Sequence, residues 1–394
     1  MGRAEDGEIQ PRYTWSMSDF PIDSQTIVIG AGPAGLAVAA CLKRAGIQSI
    51  ILEQSGKVGS AWRRHYDRLH LHTDKKNSQL PYAPFPKEYP RYISRAQLIE
   101  YLETYAEKQQ LDIRFGQQVL AACYENEQWE IQTQDTLYLA PNFVIAAGYA
   151  REPNIPTWPG QASFKGAVIH SSQYENGEPF KGKKVLVIGF GNSGGEIAVD
   201  LKEHGAQASL AVRSAVNVIP RELFGIPILS IGIMQGKLPP KLADAINAPI
   251  LRAVIGDLTR YGFRKLPYGP ATQIQNDKHI PLIDIGTMKL IKEGHLTVHP
   301  GVKEFTEDGV IFMDGKQAQF DATILATGYR PRVNAFLQEA QATYDDSGTP
   351  TSSGRETSMP GLYFCGYYVS PTGMLREIGI EAKQISAAIA KKKI

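Results

Sequence analysis

Ile27-Val28-Ile29-Gly30-Ala31-Gly32-Pro33-Ala34-Gly35 is an apolar run of strand length that breaks into GxGxxG and continues into a helical pattern over Leu36–Ala45. A second apolar run, Ser49–Leu52, follows. The same order returns 159 residues later: Val185–Ile188, then Gly189-Phe190-Gly191-Asn192-Ser193-Gly194, a helical pattern over Glu196–His204, and Ala208–Val212. Strand, Gly-rich turn, helix and strand make a βαβ unit. Two such units predict an α/β fold with parallel sheets, built as two Rossmann-like dinucleotide-binding domains. In such a turn the first Gly permits the sharp bend, the second lets a pyrophosphate approach the backbone, and the third lets helix and strand pack closely. Pro33, Ala34, Asn192 and Ser193 complete the two turns, and the helix N-terminus behind each faces the anion.

The residue after the second strand discriminates the nucleotide. Glu53, with Gln54 beside it, stands 23 residues beyond Gly30. A carboxylate there accepts ribose hydroxyls and repels a 2′-phosphate, which suits FAD or NAD. The matching place in the second unit holds Arg213-Ser214, 24 residues beyond Gly189. A guanidinium forks onto a phosphate, which favours NADPH over NADH. Two nucleotide sites in one chain imply electron transfer between two cofactors, and FAD with NADPH is the economical pair.

Asp321–Gly328 reads as a buried strand with a Gly turn, Phe143–Gly148 as a weaker copy, and Gly361–Gly366 as a strand before the last helix. The expected arrangement is an FAD-binding domain of residues 20–150 plus 320–394, with an NADPH-binding domain of residues 151–319 inserted into it. Pro153, Pro156 and Pro159 suggest a stiff linker at the first crossing. Residues 225–265 fit neither unit and read as a helical, apolar lid or interface.

The chain has 394 residues, 43% hydrophobic and 21% charged, which excludes a largely disordered protein. A net charge of +2 gives no bulk argument for nucleic acid or an anionic membrane. Met1–Asp19 lacks the apolar core of a signal peptide, and no run reaches the ~18 apolar residues of a spanning helix. Lys391–Ile394 follows an amphipathic pattern and reads as a helix end. Cys41, Cys123 and Cys365 form no close pair, so neither a redox CxxC nor a zinc site is expected. Cytoplasmic location is expected, and a homodimer is compatible with these features.

Phe164-Lys165-Gly166-Ala167-Val168-Ile169-His170-Ser171-Ser172-Gln173-Tyr174, just before the second glycine turn, resembles the FxGxxxHxxx(Y/F) signature of flavin-containing monooxygenases. Trp62–His72, Gln79–Pro81, Pro84–Pro86, Tyr101–Ala106, Pro220–Glu222, Arg260–Gly262, Ile324–Arg330 and Gly373–Leu375 are similar to the YUCCA-like members. The resemblance spans about residues 25–390. It implies that Trp62, Arg63, His70, Val119, Ala147, Gly148, Thr327, Gly328, Gly366, Met374 and Leu375 attend the cofactors. It also puts His72 and Thr73 at the flavin C4a environment, where amine- and sulfide-oxidising members carry Asn.

The chemistry implied is reduction of FAD by NADPH, a C4a-(hydro)peroxyflavin formed with O2, and transfer of one oxygen atom to a small organic substrate. For YUCCA-like enzymes that is oxidative decarboxylation of an aromatic 2-oxo acid such as indole-3-pyruvate. Oxygenation of soft nitrogen and sulfur nucleophiles, and a non-oxygenating redox sensor or binding module, are the alternatives. His170 is expected to be structural and Cys365 a small buried strand residue. Arg330 and Arg332 suit either a phosphate or carboxylate clamp or a hinge salt bridge. Arg95 and Gln97 suit either a flavin-phosphate contact or a helix start.

Overall fold

The two glycine turns each close a strand that is buried on both faces, as the strands of a parallel sheet covered by helices must be. A computed structural model describes residues 21–337 and 339–392. The polar start Met1–Asp19 and the final Lys393 and Ile394 lie outside the described residues. In the first half, β1 (Thr26–Ile29), α1 (Pro33–Arg44) and β2 (Ser49–Glu53) are followed by α2 (Arg95–Lys108), β3 (Asp112–Phe115) and β4 (Asn142–Ile145). Then come β5 (Ala167–His170), β6 (Lys184–Ile188), α3 (Asn192–Glu203), β7 (Gln207–Val212), α4 (Ile228–Gln235), α5 (Pro240–Ile255) and α6 (Pro270–Asp277). The chain continues through β8 (Thr297–Pro300), β9 (Ala322–Leu325), β10 (Leu362–Phe364) and α7 (Met374–Lys392).

These strands make two five-stranded parallel sheets, ordered β10-β4-β1-β2-β3 and β5-β9-β6-β7-β8. Each carries its βαβ unit at the centre. The helix α7 returns to the first sheet and packs along α1, burying Ala382, Ile385 and Ile389, and Ser386 donates to the Cys41 carbonyl at 2.9 Å. No described helix is long and apolar enough to cross a membrane.

One expected boundary moves. The expected boundary places β9, with residues 320–394, in the first domain, but it pairs with β5 and β6 in the second sheet. The reason lies in the turn that follows it. A Cβ on Gly189 would stand 2.3 Å from the Ala326 carbonyl oxygen, just as one on Gly30 would stand 2.6 Å from that of Ala146. Each strand-and-Gly turn therefore sits under the glycine loop of its own sheet. Ala326-Thr327-Gly328 serves the second loop and Ala146-Ala147-Gly148 the first.

The two crossings between units lie side by side, because Glu152–Pro153 pairs antiparallel with Tyr329–Arg330. Arg332 meets Glu152 at 3.2 Å, so this cation belongs to the strap. His170 is 2% exposed and its Nε2 lies 3.1 Å from the Gly328 carbonyl, which ties the end of β5 to the return crossing. Arg95 and Gln97 serve the start of α2: Ser94 and Gln97 form a capping box, and Arg95 pairs with Asp67.

The segment 225–265 holds α4, α5 and a short turn at Leu258–Tyr261. The helix α4 lies across the loop that precedes α7. A Cβ on Gly232 would be 2.8 Å from the Pro371 carbonyl oxygen, so only Gly permits this approach. Beside it, Gly373 is flanked by Leu229 from α4 and by Thr73, each 3.1 Å from where its Cβ would be.

The glycine turns predict a sharp contrast. In Gly35→Ala the new methyl would stand 1.9 Å from the Gly30 carbonyl oxygen, whereas Gly56→Ala meets nothing within 4 Å. Urea unfolding should show a loss of about 1–3 kcal/mol for the first and a change within about 0.5 kcal/mol for the second.

Candidate active site between the two dinucleotide units

The third glycines, Gly35 and Gly194, are crowded by the carbonyls of Gly30 and Gly189. The middle glycines, Gly32 and Gly191, have nothing within 4 Å of a Cβ position. This leaves the backbone of each turn bare on its outer side, where a pyrophosphate would approach the helix N-terminus. Glu53 is buried at the end of β2. Its Oε2 accepts the Ala31 N–H at 2.8 Å and its Oε1 the Ser55 N–H at 2.9 Å, so the carboxylate is locked beside the first turn.

A cavity of about 510 Å³ opens at that turn. Gly30, Gly32, Pro33, Ala34, Glu53, Gln54, Trp62, His72, Thr73, Val119, Ala147, Gly148, Gly366, Met374 and Leu375 all line it. A second cleft, of about 1080 Å³, is lined by Gly189, Gly191, Asn192, Ser193, Gly194, Arg213, Ser214, Thr327 and Gly328. Asn192 belongs to both walls. Its Oδ1 accepts the Ile283 N–H at 2.8 Å, which pins it at the junction.

Three expected residues stand elsewhere. Gly35 packs inside the turn. Arg63 lines neither space: its Nε donates to the Val58 carbonyl at 3.1 Å and its guanidinium pairs with Glu103. His70 is exposed, with Nδ1 2.7 Å from the Arg68 carbonyl oxygen, and bridges to Ser94 in a short strand contact. Successive residues of an extended segment point to opposite faces. His72 and His70 share one face by that rule, yet Leu71, His72 and Thr73 all line the cavity while His70 does not, because the chain bends at 72–73 and the alternation is lost.

At the junction the His72 Nε2 stands 2.7 Å from Oε1 of Glu196, a residue of α3 that is 1% exposed. His65 also lines the cavity, and burial, then Arg64 and Arg95 nearby, push its imidazole down to about 4. Its ring is therefore neutral at physiological pH. The cavity continues beneath α4 and α5 into a chamber walled by Ile228, Leu229, Ile231, Ile274 and Ile283. The polar groups there are occupied by protein partners. Gln235 and Asn247 bond amide to amide at 2.7 and 3.1 Å, and Asp244 accepts the Ala271 and Thr272 N–H groups.

His65 and Glu196 sit inside Trp62–His72 and the α3 helix, and nothing in their immediate sequence marks them, since their roles depend on the residues they meet in space. The amide pair gave no local signal, since it joins two helices.

Residues 27–220 match the profile of the Pyridine nucleotide-disulphide oxidoreductase family. The chain is 41% identical over 352 residues to "Indole-3-pyruvate monooxygenase YUCCA1" of Oryza sativa subsp. japonica, with 86% of each chain covered. It belongs to the YUCCA-like flavin monooxygenases. The fold agrees with two solved structures. The flavin-containing monooxygenase from Stenotrophomonas maltophilia superposes with a TM-score of 0.72 at 21% identity, covering 95% of this chain and 100% of that one. Cyclohexanone monooxygenase from Rhodococcus sp. Phi1 bound to NADP+ gives 0.73 at 20% identity, covering 95% and 85%. The YUCCA-like protein is thus an oxidoreductase.

Two predictions arise from this site. Arg213→Ala should weaken NADPH about tenfold or more while changing NADH little, since a charge-assisted phosphate contact is worth about 1.5–3 kcal/mol; steady-state KM values for the two nucleotides check it. The depressed His65 makes the unfolded chain bind one more proton than the native one between about pH 4 and 6.5. Stability should therefore fall by up to about 3 kcal/mol as pH drops through that window. Urea unfolding at several pH values should show a smaller acid loss in His65→Gln.

Proposed function

We propose that the first cavity holds FAD through Gly30, Gly32 and Glu53, and that the second cleft holds NADPH through Gly189, Gly191, Ser193 and Arg213. Bound FAD, reduced by NADPH, would supply the two electrons that divide O2 between substrate and water. The chain's own residues do the rest. Glu53, locked by two backbone donors, fixes where the ribose hydroxyls bind. Asn192, shared by both walls, would contact the nucleotide where the two spaces meet. His72 and Thr73 line the passage from there to the apolar chamber.

The observation that carries this reading is continuity. One cavity runs from the first glycine turn, past His72 and Asn192, to the chamber under α4 and α5. The close approach of Gly232 to the Pro371 carbonyl brings α4 over one side of that chamber, and oxygen chemistry on a flavin favours such cover from water. Its isoleucine and leucine walls suit a flat aromatic substrate, and we infer an aromatic 2-oxo acid such as indole-3-pyruvate. The net reaction consumes the 2-oxo acid, O2, NADPH and a proton, and yields the shortened acid, CO2, NADP+ and water. Three free thiols fit a reducing compartment such as the cytoplasm.

The test is an oxygen electrode with purified flavoprotein, NADPH and indole-3-pyruvate, with CO2 trapped. One CO2 per NADPH supports the proposal. Oxygen uptake with a tertiary amine or thioether and no CO2 from the 2-oxo acid would reject the decarboxylase reading. One H2O2 formed from O2 for every NADPH oxidised would reject oxygenation.

A further inference from the structure

Eight of the fifteen large hydrophobic residues exposed among the described residues lie between Phe224 and Val254. A monomer seldom leaves so concentrated an apolar patch to water unless it binds something. The pattern is organised. On α5, Leu242, Ile246, Ile250 and Val254 recur every four residues, so they form one stripe along the helix. The adjoining face, about 100° round the helix and carrying Ala243, Asn247, Leu251 and Ile255, turns inward, and Asn247 and Leu251 line the substrate chamber. The outer stripe is therefore not core left over; the helix is apolar on both faces.

A second, independent feature stands just upstream. Glu222–Leu223 and Ile226–Pro227 pair as a two-residue hairpin with Phe224 and Gly225 at its tip, at φ +50° and +79°. A bulky residue at positive φ is disfavoured, and Asn or Gly is usual there. Yet this strained position presents Phe224 at 89% exposure, and Met234 at the end of α4 is 82% exposed. Arg91 grips the hairpin, donating to Glu222 at its base and to the Gly225 carbonyl at its tip.

Charge selects the occupant. Between Phe224 and Gly256 the charged residues are Lys237, Lys241, Arg252 and Asp244. All three cations are exposed, whereas Asp244 is spent on the N-terminus of α6. A second copy of the chain laid on this face would bring like charges together. An anionic lipid surface would pair with them and take up the apolar stripe. We propose that the hairpin tip, α4 and the outer face of α5 form a peripheral docking surface for anionic membranes, with the substrate chamber directly behind it. The surface is local, which is why a net charge of +2 did not announce it.

The test is cosedimentation of the FAD-loaded protein with phosphatidylcholine vesicles containing about a third phosphatidylglycerol, set against pure phosphatidylcholine. Binding to the anionic vesicles only, falling steeply between low and physiological salt, is the expected result. The double variant Ile246→Glu/Ile250→Glu, and separately Phe224→Ser, should each cut binding at least tenfold. Flavin content and thermal midpoint should match the parent, since none of these side chains lines the cavity. No binding by the parent protein, or binding unchanged in both variants, overturns the proposal. So does a parent dimer in sedimentation velocity that the double variant splits, because a second copy would then cover the face. The readout is vesicle binding, so it stands or falls apart from the identity of the substrate.

Discussion

Two close approaches of backbone to backbone hold the active-site architecture in place. Gly30 lies against the Ala146 carbonyl and Gly189 against that of Ala326, at separations that leave no room for a side chain. Each contact clamps a glycine turn onto a neighbouring strand of its own sheet and thereby fixes the direction of the helix that follows. With both turns clamped, the N-termini of α1 and α3 open into the two spaces that line the junction. Asn192, the first residue of α3, is shared between them for this reason.

The relation between the units rests on one face of α3. Glu196, Asp200 and Glu203 succeed each other at helical spacing and meet His72, Tyr174 and Arg68 respectively. Tyr174 donates to Asp200 at 2.6 Å, and burial with this carboxylate as neighbour pushes the phenol far up, so it remains a donor. Two nearly inaccessible carboxylates would be costly without such partners. The same row of contacts positions the 66–73 segment, and with it His72 and Thr73, at the cavity wall. The signature histidine, His170, acts in parallel at the strap by gripping Gly328.

The fold class was legible in the sequence, and most of the residues expected at the cofactors do line a cavity, because they depend on local chemistry. A GxGxxG after an apolar run says where the chain must turn, and the residue ending the next strand says which ribose it would face. Glu53 and Arg213 are at their expected places for that reason. The misassigned strand β9 shows the limit. Its composition suits either sheet equally, and only the Ala326 carbonyl beneath Gly189 decides between them. Arg63 and His70 failed similarly, since adjacent positions in an irregular segment carry no period that tells inward from outward.

By itself, then, the sequence determined two parallel-sheet units, the place of each glycine turn, and the family to which the chain belongs, because glycine spacing acts within a few residues. Tertiary structure alone decided that Glu196 faces His72, that Gly232 lets α4 pack closely on Pro371, and that α5 turns one apolar face inward and another to solvent. Those outcomes depend on which surfaces meet across long separations in the chain. Apolar periodicity reports that a face is apolar, but only packing settles what, if anything, covers it.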